Sequence, residues 1–130
     1  MARADFKERI NLIEESYEFM LGYAAQGLAT DAGAPAGAQL RRCLERSDSA
    51  LTGLADLFTS VVEQEKLDAA QRHRAFASVL ERDARDAQTA IQLVLAQPSI
   101  SSQLVDNLNA SIHVRALLTD LFLIDEILKP

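Results

Sequence analysis

ISSQLVDNLNASIHVRALLTDLFLIDEIL, residues 100–128, decides how this chain is read, because it puts apolar residues on two faces of what looks like one helix. At helical spacing, Ile100, Leu104, Leu108, Val114, Leu118, Leu121, Phe122 and Leu128 share one side, the three-and-four pattern of a buried stripe. A second set, Val105, Ile112, Ala116, Leu123 and Ile127, lies well round the cylinder from the first, where a surface helix is ordinarily polar. One bundle core cannot bury both faces.

Upstream, the same period recurs three times. Phe6, Ile10, Ile13, Tyr17, Met20 and Ala24 form a seam that Asp5 and Glu8, an aspartate version of the capping box, are expected to start. Leu12, Phe19 and Tyr23 make a smaller second stripe on this helix. Thr30 to Gly37, with Asp31, Gly33, Pro35 and Gly37, has the chemistry of a turn. Beyond it, Leu40, Leu44, Ser47, Leu51, Leu54, Phe58 and Val61 mark a second helix beginning near Pro35. Extending that seam forward lands on Glu65, Asp68, Arg72 and Arg82, whereas the apolar series restarts as Ala70, Ala77, Leu80, Ala84, Ala87, Ile91 and Val94. The break in phase predicts a tight turn at Lys66 to Asp68 and a third helix running to about Gln97, where Pro98 and the following serines end it. With no alternating strand pattern, the expected architecture is all-α, an up-down-up-down antiparallel four-helix bundle in a single domain, residues 1–130.

Composition narrows the function. The chain has 130 residues, 48% of them hydrophobic, and a formal charge of -6. Its Lys and Arg residues are scattered, so nucleic acid is not an expected partner. Charged residues near the start and the lack of a long apolar run lead to the expectation of a cytoplasmic protein that does not enter membranes. Cys43 stands alone and can form neither an internal disulfide nor a haem-attachment motif.

Two polar residues interrupt the seams. Counted by rise from the turn between the third and fourth helices, His73 and Asp125 come out at one height, near Glu65, and are expected to form a structural polar pair. The alternative is a metal-binding or redox site made from His73, Asp125 and Glu65. Neither His73 nor His113 has a glutamate three residues before it, so the carboxylate-bridged di-iron pattern is absent. Arg115 comes out level with Glu14 and Glu15, which predicts an interhelical salt bridge. No catalytic residue, metal or cofactor is expected.

What remains is surface hydrophobicity without site chemistry. The sequence therefore predicts a non-enzymatic interaction or assembly protein, a homodimer or the binder of another protein. Its interface would comprise Leu12, Phe19 and Tyr23 from the first helix with Val105, Ile112, Ala116, Leu123 and Ile127 from the last.

Overall fold

The helical period is realised in a computed structural model that describes residues 1–129. Its elements are α1 (Ala2–Ala25), α2 (Pro35–Leu51), α3 (Leu54–Gln64), α4 (Ala70–Leu95), α5 (Ser102–Ala110) and α6 (Ile112–Ile127), with no strand among the described residues. The all-α expectation holds. The division into four helices does not, because two of the expected helices are broken.

Thr52 is extended and Gly53 is left-handed, at a φ of 73°, so the chain leaves the helix and re-enters it between α2 and α3. Glycine adopts that conformation without the steric cost a Cβ would bring. The apolar pattern gave no sign of the break, since Leu51 and Leu54 on its two sides are both buried. At Ser111 the backbone is extended for one residue, and the Ser111 hydroxyl accepts the Val114 N–H at 3.3 Å to cap α6. This second break accounts for one member of the second stripe, Val105. α5 buries Val105, Leu108 and Asn109, whereas α6 buries Val114, Leu117, Leu118, Leu121 and Ile124, two sets that point well over a quarter turn apart on one continuous helix.

The turn expected at Lys66 to Asp68 is present. Lys66 and Ala69 both have positive φ, and Ala69 stands immediately before α4. α1 starts at Ala2, not at Asp5, which instead lies in the first turn with its N–H bonded to the Met1 carbonyl at 3.1 Å.

One core cluster joins all six helices. α1 packs on α2, α3 and α5, while α4 packs on α2, α3, α5 and α6. The expected seams supply most of the core: Phe6, Ile10, Ile13 and Met20 from α1, Leu40 and Leu44 from α2, Phe58 and Val61 from α3, Leu80, Ala84, Ala87 and Ile91 from α4. Among the described residues no helix is long and apolar enough to cross a membrane.

The loop after α1 is latched to the segment between α4 and α5. Asp31 accepts the Ile100 N–H at 2.7 Å and the Arg41 Nε–H at 2.6 Å, and Arg41 also donates to the Gln97 carbonyl at 3.0 Å. These bonds satisfy backbone groups left open where α4 ends. Ser102 Oγ accepts the Leu28 N–H and donates to the Tyr23 carbonyl, while the Tyr23 hydroxyl donates to the Ile100 carbonyl at 2.7 Å. Tyr23 is therefore held in the interior and cannot belong to an outer face.

Candidate interaction surface

α6 packs on α4 and reaches α1 through long polar side chains, which leaves much of its circumference uncovered. Ile112 is 74% exposed, Leu123 50%, Ile127 61% and Phe122 54%. Phe122, placed in the buried seam by its spacing, is thus on the outside. Ala116 is half-buried and Thr119 exposed, and they continue the line from Ile112 towards Leu123.

At the C-terminal end of this line is an apolar groove of about 220 Å³, lined by Phe58 of α3, Arg72, His73 and Phe76 of α4, and Leu123, Ile124 and Ile127 of α6. The left-handed residues Lys66 and Ala69 turn the chain so that the first turns of α4 stand beside α3. His73 lies with its ring 6.1 Å from that of Phe58, which in turn is 5.6 Å from Phe6. The His73 Nδ1 is 3.0 Å from the Ala69 carbonyl, which can only accept, so Nδ1 carries the proton. The imidazole is one wall of an apolar groove.

The expected pairing of His73 with Asp125 is not made, and the physical reason is that each has a nearer partner. Asp125 pairs with Lys7 of α1, across an approach that the sequence count did not anticipate. Glu65 takes Arg3 in a charge-assisted bond of 2.6 Å, and Arg3 also donates to the Leu128 carbonyl at 2.7 Å. The three residues of the alternative metal or redox reading are thus bound to three different groups. Among the described residues no three His, Cys, Asp or Glu side chains are grouped to hold a metal ion. Arg115 is exposed and makes no ion pair with Glu14 or Glu15 among the described residues.

Of the expected interface residues, Ile112, Leu123 and Ile127 are exposed on α6. Leu12 and Phe19 are half-buried against the core, and Tyr23 and Val105 are fully buried. Tyr23 and Val105 are therefore corrected to core residues, Tyr23 by its bonded hydroxyl and Val105 by the break at Ser111. Leu12 borders a wider cleft of about 550 Å³ between α1 and α2, but Glu8, Arg9, Glu45 and Arg46 line that cleft with both signs of charge and give it no convergent chemistry.

Sequence reasoning missed the buried carboxyl of α6. Asp120 of α6 is 6% exposed, with its Oδ2 unpartnered. Burial, followed by a hydrogen bond to Asp83 and the charge of Asp83, pushes its carboxyl up to about 8. The apolar seam carried no signal for it, because at 3.6 residues per turn Asp120 stands about 100° round from Leu121 and about 160° from Leu118. Burial also raises the Cys43 thiol, against the opposing effects of Arg46 and Arg42, which makes it a poor nucleophile near neutral pH.

No protein-family model, curated protein or solved structure matches this chain. What can be said of its function comes from its own residues.

Proposed function

We propose that the chain is a non-enzymatic interaction or assembly module, one domain built as an antiparallel bundle of four helical segments, two of them broken, that engages another protein surface through α6. The observation that carries this reading is the grouping of Ile112, Leu123 and Ile127, each at least half exposed, on one side of a 16-residue helix beside an apolar groove. Apolar side chains exposed singly are ordinary, whereas a contiguous line of them next to a groove marks a contact surface. The groove's walls contain no nucleophile with an activating base, since His73 is turned to the Ala69 carbonyl and the Phe58 ring. A free Cys43 and the acidic composition fit the cytoplasmic setting expected from the sequence.

The test is photo-crosslinking inside the cell. A benzoylphenylalanine replacing Thr119, exposed at the middle of the line, should give a light-dependent adduct with a second protein chain. The adduct should vanish when Leu123→Glu and Ile127→Glu are introduced together, while the helical circular dichroism and melting temperature are retained. Absence of any adduct overturns the reading, as does unfolding of the double variant, which would make both residues part of the core.

A further inference from the structure

We infer that the occupant of this face is α6 of a second copy of the chain, laid antiparallel across a two-fold axis that passes between Thr119 and Asp120. The inference rests on the reading of α6 as a contact surface and names its partner. Ile112, Ala116, Thr119, Leu123 and Ile127 fall on one arc of α6 at steps of four, three, four and four. Reversed about the centre of that line, Ile112 lies opposite Ile127 of the copy and Ala116 opposite Leu123, so a small residue meets a large one on each side. The spacing of the line is thus nearly its own mirror, as a two-fold contact requires.

The groove gives the pairing its direction. It sits at the Ile127 end of α6, while the most exposed apolar side chain of the helix, Ile112 at 74%, stands at the other end. Fifteen residues at about 1.5 Å each separate knob from groove by roughly 22 Å. The two-fold axis places the Ile112 of each copy at the mouth of the other's groove, so that both grooves are filled and the contact closes on itself. At about 220 Å³ the groove is smaller than the roughly 300–1,000 Å³ of a small-molecule site, and an aliphatic side chain is the occupant that suits it.

Charge supplies an independent argument for the same direction. Arg115 and Glu126 are both exposed and lie on the same flank of the line, about 60° and 40° round from Ile112 at 3.6 residues per turn. In an antiparallel pair like flanks meet, so Arg115 of each chain meets Glu126 of the other, twice by symmetry. A parallel pair would put this flank of each chain on the opposite side of the contact, so that Arg115 and Glu126 would not meet, and would bring the two Ile112 knobs together at the end away from the grooves. Arg115 has no ion-pair partner within its own chain among the described residues, and Glu126 has only the i,i+3 lysine Lys129.

Sedimentation of the full chain at tens of micromolar tests the inference, and should give a dimer. Arg115→Glu and Glu126→Arg should each raise the dissociation constant about tenfold or more, and the two together should restore it, because the reversed pair again brings opposite charges together. Ile112→Asp should abolish the dimer while the helical circular dichroism is retained and the melting temperature falls to a value that no longer depends on protein concentration, its side chain being exposed in the single chain. A monomer at every concentration overturns the self-pairing; if the Thr119 adduct in cells then has a mass other than twice that of the chain, α6 binds a different protein and only the identity of the partner is wrong. A monomer with no adduct removes the contact surface as well. A dimer indifferent to all three single variants forms through another face, which also overturns the inference.

Discussion

The carboxyl of Asp120 on α6 lies against that of Asp83 on α4, where solvent reaches Asp120 poorly and its Oδ2 has no other partner. Two carboxylates in such a place cannot both be charged at low cost, and a shared proton turns repulsion into a hydrogen bond between the helices. The pair thus joins the two helices that form two walls of the groove.

This makes stability depend on pH in a definite sense. Asp120 holds its proton to about 8 in the folded chain, whereas the unfolded chain releases it near pH 4. Its contribution is complete below about pH 4 and is lost as pH rises to about 8, with a slope of at most about 1.4 kcal/mol per pH unit. Asp120→Asn keeps a neutral donor there and should be more stable than the unmodified chain at pH 8, the difference closing towards pH 4. Urea midpoints measured across that range check it, and parallel profiles for the two proteins would show that the pair is not linked to folding.

Opposite signs are expected from one kind of substitution at two helical glycines. A Cβ on Gly37, in the first turns of α2, would collide with the backbone of Asp31, which the latch holds in place. Gly37→Ala should therefore destabilise by a few kcal/mol, because backbone must move to admit it. Gly22 is exposed within α1 and has nothing within 4 Å of its would-be Cβ. Gly22→Ala should stabilise by roughly 0.5–1 kcal/mol through helix propensity and a less disordered unfolded state. Thermal melts of the two variants decide both.

The Asp31–Arg41 pair should couple the first loop to the end of α4. The hydrogen bond from Arg41 and that from the Ile100 N–H hold the Asp31 carboxyl below its usual range. Its contribution is therefore present above about pH 4 and is lost as pH falls through the lowered value. Because Arg41 is 30% exposed, a double-mutant cycle to alanine should give a coupling of only about 1 kcal/mol. Each single change should cost more than that, since Asp31 also takes the Ile100 N–H and Arg41 also serves the Gln97 carbonyl. Single costs no larger than the coupling would mean that the backbone bonds contribute nothing.

How far these features could be read in advance depended on whether they left a mark in the apolar period. The phase break before Ala70 marked the turn before α4, and the seam from Leu40 to Val61 found buried residues throughout. Because that seam continues in phase across Thr52 and Gly53, the break between α2 and α3 was invisible to periodicity, and Gly53 alone carried its signal. Of the contact surface, Ile112, Leu123 and Ile127 were legible because α6 repeats them outside its core. Tyr23 and Val105 were misplaced because a hydroxyl bonded to a carbonyl 77 residues away and a one-residue break at Ser111 are tertiary facts. Asp120 was missed since a wheel drawn through Ser111 averages two directions of burial. The partners of Asp125 and Glu65 were beyond a count of helical rise, which gives height along a bundle and says nothing of which long side chain, Lys7 or Arg3, reaches across.

Ser111 should govern how α6 is set, and its substitution separates capping from mere flexibility. It ends α5, accepts the Val114 N–H through Oγ, and stands directly before the exposed Ile112. Ser111→Ala removes the acceptor and favours helix through the break, although a continuous helix would turn the buried face of α5 away from that of α6. The variant should therefore lose about 1 kcal/mol, the ordinary effect of deleting a serine cap. Ser111→Asp keeps an acceptor at the same place and adds a negative charge to the positive end of the α6 dipole, so it should retain or slightly exceed the original stability. Ser111→Gly keeps the backbone free to break but offers no side-chain acceptor, and should fall between the two. Urea unfolding of the three variants gives the order Asp, Gly, Ala; an alanine variant as stable as the aspartate one would mean that the cap does not hold the break.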